Sequence, residues 1–410
     1  MQREHGAAKV LHFLIRRTYM TRITSNRRRA AGAVAALTLI LAACGGDDAA
    51  DAPADAPADE PATEAPAEEP AAEEPAAEEP ADEVEVTQDG GILAAVQARG
   101  TLNCGVSGAA VAFSYTQADG SMEGIDADYC RAVAAAVLGD ADAVEFTSLT
   151  AAERFTAVQT GAVDVLMRNS TWTQSRDTEV GMDFGPTTYY DGQQLMARAA
   201  NGFSASSSVD EIDGAIVCTN AGTTTETNIS ELAQTLGITI DLQTFEDYDQ
   251  VTEAFIAGTC DVITTDGSGL VGRKAAQEPE GEEWVIFPAT PISKEPLGPV
   301  YAQNDSQWAD AVNWVVYATL IADEYGVTSA NADAALAGEF GPEMIRLMGG
   351  EGELQSVMGL SADAFYNVIT QVGSYQEIWD ANLTPVGLVR EGSANALWTD
   401  GGLMYAPPAR

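Results

Sequence analysis

Val163-Asp-Val-Leu-Met-Arg-Asn-Ser-Thr-Trp-Thr-Gln-Ser-Arg176 is a short apolar run that turns abruptly polar. Val163 to Met167 reads as a buried strand, and Arg168 to Arg176 as the polar segment at its carboxyl end. The same transition recurs twice downstream. Ala215 to Thr219 runs into Ala221-Gly-Thr-Thr-Thr-Glu226, and Asp261 to Thr265 runs into Asp266-Gly-Ser-Gly269. Upstream, Thr101 to Val106 reads as a strand, Asp126 to Leu138 as a helix ended by Gly139, and Ala143 to Phe146 as a short strand. Thr150-Ala-Ala-Glu153 has the spacing of a capping box, for a helix ending near Gly161. Further helices are expected from Thr224 and from Tyr248, with a strand near Ile238 to Phe245 between them. Strand and helix alternate, which argues for mostly parallel sheets flanked by helices. Two such runs in succession predict two α/β lobes, with a ligand at the carboxyl ends of the strands.

The residues gathered at those ends have complementary chemistry. One strand end supplies a guanidinium, Arg176. Another supplies hydroxyls and a helix N-terminus at Thr223 and Thr224. The third supplies a carboxylate, Asp266. Together they would hold a carboxylate and an ammonium, the two charges of an α-amino acid. Each has a plainer reading alone. Thr223 with Glu226 is also a capping box, Asp266 is also a helix cap, and Arg176 is also a surface cation. The joint placement favours the ligand site.

Composition removes other classes. The chain of 410 residues has a formal net charge of -42. Its first 43 residues carry eight Lys/Arg and one Glu, so residues 44–410 are near -49. Residues 45–85 hold 16 acidic and no basic side chains, which leaves about -33 for 86–410. Such a domain lacks the basic footprint of a nucleic-acid binder and gains nothing from anionic lipid surfaces. Both histidines, His5 and His12, precede residue 44. Ser-His-Asp or Cys-His chemistry and histidine-ligated zinc are thereby excluded from the remainder, and no metal or cofactor is expected. An enzyme on this framework would need a general acid and an extra module, neither of which is evident. A sensor or structural surface lipoprotein is the stronger rival reading.

The N-terminus has an export pattern. Arg22 and Arg27 to Arg29 precede Ala30 to Ala43, in which only Thr38 is polar. That is the charged and apolar part of a signal peptide, too short for a spanning helix. Met20 stands just ahead of it as an alternative start. Leu41-Ala-Ala-Cys44 resembles the lipobox of bacterial lipoproteins, which makes Cys44 the expected lipidation site. From Gly45 to Glu85 the chain is almost only Ala, Pro, Asp and Glu, with AEEPA repeated. Too few apolar side chains are present to offset ordering entropy, so a disordered, extended tether is expected. Four cysteines remain, Cys104, Cys130, Cys218 and Cys260; in an exported domain they imply two disulfides with three possible connectivities.

Several motifs carry a family resemblance over residues 92–350. They are Gly124-Ile-Asp-Ala-Asp-Tyr129, Leu149-Thr-Ala-Ala-Glu-Arg-Phe155, Gly161-Ala-Val-Asp-Val165, the Arg168–Arg176 and Ala221–Glu226 segments, and Ser293-Lys-Glu-Pro-Leu-Gly298. They resemble family 3 solute-binding proteins of amino-acid ABC transporters. The ending Leu397-Trp-Thr-Asp-Gly-Gly-Leu-Met-Tyr-Ala-Pro-Pro408 looks like that of the general L-amino-acid-binding subgroup. The resemblance implies a two-lobed periplasmic-binding-protein-like (type II) clamp with a two-strand hinge, crossing near Gln193–Met196 and Leu297–Val300. It implies a monomer outside the cytoplasmic membrane, held by its lipid alone, that delivers L-amino acids to ABC permease subunits. By motif, Arg176 would grip the α-carboxylate with help from Thr171, Thr223 and Thr224. Asp266 would pair the α-ammonium beside the Asn169 carbonyl. Phe113 and Arg154 would meet the ligand side chain. Ala110 stands where some relatives have a stacking tyrosine, which favours a roomy pocket and broad specificity.

The expected division is a signal peptide at 1–43, lipidated Cys44 and tether over 44–88, and a first lobe over 89–194. A second lobe follows over 195–298, the first-lobe return over 299–350, and an extension packed on the first lobe over 351–410. Cys104 is expected on the first strand and Cys130 on the helix after it, with Cys218 and Cys260 on strands of the second lobe. Disulfides Cys104–Cys130 and Cys218–Cys260, one inside each lobe, are predicted because a bridge between lobes would obstruct the hinge.

Overall fold

The computed structural model describes residues 91–410, so the signal peptide, Cys44 and the tether lie outside the described residues. The chain enters through α1 (Gly91–Arg99) and β1 (Leu102–Val106). A small antiparallel sheet follows, made of β2 (Ala109–Ala110), β3 (Ser114–Thr116) and β4 (Met122–Glu123). Then come α2 (Ile125–Leu138), β5 (Val144–Ser148), α3 (Arg154–Gln159), β6 (Val165–Thr171), α4 (Gln174–Thr178), β7 (Met182–Phe184) and β8 (Tyr189–Asp191). The second lobe runs through β9 (Gln193–Arg198), β10 (Ile216–Asn220), α5 (Thr224–Leu236), β11 (Asp241–Phe245), α6 (Tyr248–Ile256), β12 (Val262–Asp266), α7 (Gly267–Gln277) and β13 (Trp284–Phe287). The return is β14 (Glu295–Ala302) and α8 (Ser306–Glu324). Five short helices close the chain: α9 (Ala332–Leu336), α10 (Pro342–Leu347), α11 (Leu354–Val357), α12 (Ala364–Gln371) and α13 (Tyr375–Asn382).

The first sheet has the order β5-β1-β6-β14-β7, with β8 also paired to β14. The second has the order β11-β10-β12-β9-β13. In each, three parallel strands (β5-β1-β6 and β11-β10-β12) meet an antiparallel one. Those antiparallel strands, β14 and β9, lie where the chain changes lobes, so each sheet centre is tied to a crossing.

The crossings fall slightly earlier than the expected boundaries at 194/195 and 298/299. Gln193 already begins a strand of the second sheet, and Glu295 already begins β14 of the first. The segments Gln193–Met196 and Leu297–Val300 are therefore strand, and the turns lie at Gly192 and just before Glu295. Packing between the two crossing segments fixes the first position: a Cβ on Gly192 would stand 2.5 Å from Pro291 and 2.7 Å from the Ser293 carbonyl.

Helix α2 has almost no polar face, and eleven of its 14 residues are buried. Such a helix must be covered on all sides. The first sheet covers one side and α8 another, while α12 and α13 of the extension close the rest. Buried Phe365, Tyr375 and Trp379 fill this layer. Gly139 ends α2 in the left-handed conformation, at φ 78°. The extension also holds β8, because the Asn395 amide donates to the Tyr190 carbonyl at 3.0 Å and accepts from its N–H at 2.6 Å.

Disulfides join Cys104 of β1 to Cys130 of α2, and Cys218 of β10 to Cys260. Cys260 was expected on a strand; it sits instead in the turn ahead of β12. Each bridge should contribute about 2–4 kcal/mol by constraining the unfolded chain. Among the described residues no helix is long and apolar enough to cross a membrane.

Candidate functional site

Strand β6 extends four residues past the apolar run. Leu297 of β14 pairs with Thr171, so the polar residues Arg168 to Thr171 belong to the sheet and not to a loop. Their side chains are therefore positioned by a paired strand. Asn169 sits at φ 33°, and its N–H donates to the buried Asp126 carboxylate at 2.7 Å. This explains the Gly124-Ile-Asp126 motif. Gly124 is at φ 126°, and a Cβ there would stand 2.1 Å from the Phe113 carbonyl. The glycine lets the Phe113 backbone close over the start of α2, and Asp126 then reaches Asn169.

Beyond β6, Thr173 caps α4 by accepting from the Arg176 N–H at 3.3 Å. Arg176 folds back, and its Nη1 donates to the Thr171 carbonyl at 2.9 Å. Arg154, at the first residue of α3, is 3 % exposed, and its Nε has no hydrogen-bonding partner within the protein. The Thr150–Glu153 capping box forms reciprocally, though regular helix begins only at Arg154. Both guanidiniums lie over the Phe155 ring, at 4.8 Å for Arg154 and 5.2 Å for Arg176.

On the second lobe, Thr223 caps α5 by accepting from the Glu226 N–H at 3.2 Å. Its hydroxyl also donates to the Asn220 carbonyl at 2.7 Å. The Thr223 hydroxyl is thus committed to the local turn. Thr224 donates to Glu295 at 3.0 Å, and its hydroxyl lies 3.4 Å from that of Thr171 across the cleft. Asp266 ends β12 and stands at the N-cap position of α7 without making a cap bond. Its Oδ1, buried, has no partner within the protein.

These residues meet around one cavity of about 200 Å³ between the lobes. Arg154, Arg168, Asn169, Thr171, Arg176, Thr223, Thr224, Asp266 and Phe113 all line it. Phe113 is buried and packs edge-on against Tyr189 at 5.4 Å. Burial and the neighbouring carboxylates of Asp191 and Glu295 push the Asp266 carboxyl well above the ordinary range, while Arg176 and Arg154 pull it back. Burial, then crowding by Arg168 and Arg176, lowers the proton affinity of Arg154, and Asp266 opposes this. Sequence reasoning passed over three supporting groups. Glu295, inside the Ser293–Gly298 motif, ties β14 to Thr224 and to Asn228 at 2.9 Å. Asp191, pushed up to about 6 by burial, accepts from Ser268. Arg273 lines the cavity from α7, and nothing in its sequence context marks it.

A buried carboxyl and a buried guanidinium, each with an unpartnered atom on one small cavity, are groups that would pair the opposite charges of a polar ligand. Comparison with known proteins gives the family. Residues 102–318 match the bacterial extracellular solute-binding proteins, family 3. The chain is 45% identical over 318 residues to the glutamate/glutamine/aspartate/asparagine-binding protein BztA of Rhodobacter capsulatus, spanning 77% of this chain and 92% of that one. It is 43% identical over 324 residues to the general L-amino acid-binding periplasmic protein AapJ of Rhizobium johnstonii, spanning 78% and 92%. Among solved structures, an ABC transporter periplasmic binding protein from Brucella ovis with glutathione bound superposes with a TM-score of 0.73 at 41% identity, covering 78% of this chain and 99% of that one. The chain belongs to the family 3 bacterial extracellular solute-binding proteins, and it has their type II periplasmic-binding-protein fold. It is a binding protein and not an enzyme.

Proposed function

We propose that this protein captures L-amino acids of several kinds outside the cytoplasmic membrane and presents them to ABC transporter permease subunits as a lipid-anchored monomer. One observation carries the ligand: Asp266 and Arg154 are buried with unpartnered atoms on the same cavity that Arg176 lines. In this reading Arg176 forks the α-carboxylate with the Thr171 and Thr224 hydroxyls beside it. Asp266 pairs the α-ammonium next to the Asn169 carbonyl. Phe113 walls the side chain, and Arg154 offers its free Nε to a distal carboxylate or amide. Thr223 acts through the helix end that it caps. The names of the relatives support amino acids as the ligand class. A thermal-shift screen with the twenty amino acids and glutathione tests this, since a ligand at 100-fold its Kd adds about 2.7 kcal/mol. Stabilisation by several amino acids is expected; none at all would overturn the reading.

The anchor rests on Leu41-Ala-Ala-Cys44. Cells fed a clickable fatty acid should label the wild-type protein and not Cys44→Ala. Label persisting in the variant would remove Cys44 from the proposal.

A further inference from the structure

Arg273 is the cavity-lining cation on the second lobe, and its bonds run to protein groups on both sides of the cleft. Its Nη1 donates to Asp249 at 2.7 Å and to the Thr252 hydroxyl at 3.2 Å, both on α6 of its own lobe. The guanidinium lies over the Tyr248 ring at 4.6 Å. Its Nη2 crosses the cleft and donates to the Ala109 carbonyl, at the start of β2 in the first lobe, at 2.6 Å. The side chain is 3 % exposed. A second contact lies one residue away. A Cβ on Gly272 would stand 3.2 Å from Val111 Cβ and 3.3 Å from the Val111 carbonyl, so α7 lies directly against the loop that Arg273 grips.

We infer that Arg273 is a positioning residue that latches the two lobes, with Gly272 providing the close approach the latch requires. This inference rests on the reading of the cavity as a clamp that closes over its ligand. The anchors on α6 pre-order the guanidinium within the second lobe, so little freedom is lost when Nη2 reaches Ala109. The acceptor is a backbone carbonyl, which any side chain at position 109 would supply. The bond exists only when the lobes are together, so it raises the population of the closed form independently of the amino acid. Apparent affinity then scales with that population. A hydrogen bond to a charged group has a strength corresponding to about a 10–100-fold change in equilibrium.

The test uses the full chain with both disulfides intact. Spin labels on one unnatural amino acid in each lobe report the interlobe distance by pulsed dipolar spectroscopy, without ligand. Calorimetry with several amino acids reports affinity. Arg273→Ala should lengthen the distance distribution and weaken every amino acid by a similar factor, about 10–100-fold. Gly272→Val leaves the bonds of Arg273 to α6 in place and wedges the lobes apart, so it should act in the same direction even if Arg273→Ala fails to fold. Unchanged distances in Arg273→Ala, or in Gly272→Val should Arg273→Ala not fold, would overturn the latch. So would a loss confined to one side-chain class, since that would make Arg273 a direct ligand contact. If the wild type binds no amino acid, the proposed function fails, yet the ligand-free distances still decide whether the latch exists.

Discussion

The two banks of the cleft differ in charge. From the first lobe, Arg154, Arg168 and Arg176 face the cavity; from the second come Asp266 and the hydroxyls at the start of α5. Arg273 is the second-lobe cation, and it spends itself on protein groups. Among the described residues no salt bridge joins Arg154 or Arg176 to Asp266, although each shifts the proton affinity of the other bank. A polarised cleft of this kind attracts a molecule that is itself polarised. A solute without charged groups would leave both sets unpaired, whereas under the proposed function a zwitterion would pair them and draw the banks together.

The largest expected effect breaks that polarity from either side. Arg176→Ala and Asp266→Ala should each cost about 2–5 kcal/mol of binding for every amino acid, because truncating one partner strands the other charge. Calorimetry with several ligands on both variants checks this. Near-wild-type affinity in either would mean that the charges do not face the ligand's own. Selective loss, sparing some amino acids, would move that residue from the common clamp to the side-chain pocket.

Much of this arrangement was legible in the sequence, and what was missed has physical reasons. The polar runs after Thr219 and Thr265 mark their strand ends to within one residue because buried parallel strands are apolar until they emerge. The end of β6 was misplaced because Arg168 to Thr171 look like loop, and only pairing with β14, more than a hundred residues later, keeps them in the sheet. Cap chemistry was local and therefore readable: Thr223 and Glu226 form their turn as the spacing predicts. Arg273 was invisible, since its meaning lies in a carbonyl 164 residues away. Helix α2 did carry an unread signal. Ala132 to Val137 lacks any polar side chain, and an apolar circumference required a further layer, which the extension provides.

A smaller effect sharpens the comparison, because each bank also buries a carboxyl near its cations, Asp126 in the first lobe and Asp266 in the second. Asp126 of the first lobe is satisfied: it accepts from the Asn169 N–H and feels Arg168, yet burial dominates and pushes its carboxyl up to about 7. Asp266 of the second lobe is left with a free oxygen. Burial raises both carboxyls, so Asp126 should be a structural group that keeps its proton, and Asp266 a ligand group that gives its proton up when an ammonium pairs it. The sign follows from the folded state binding that proton more tightly than the ordinary carboxyl does. The stabilisation from protonated Asp126 is fully present below the unfolded value near 4 and is lost as pH rises through about 7. Asp126→Asn keeps an oxygen for the Asn169 N–H and removes the titration. Between pH 5 and 8 its unfolding free energy should fall less than that of the wild type, by roughly 2–4 kcal/mol. Amino-acid affinity at pH 7 should change little, while Asp266→Asn should lose binding throughout the range. Denaturant unfolding at a series of pH values, with calorimetry on both variants, separates the two roles. Parallel stability profiles for Asp126→Asn and the wild type would return Asp126 to an ordinary carboxylate and remove this distinction between the banks.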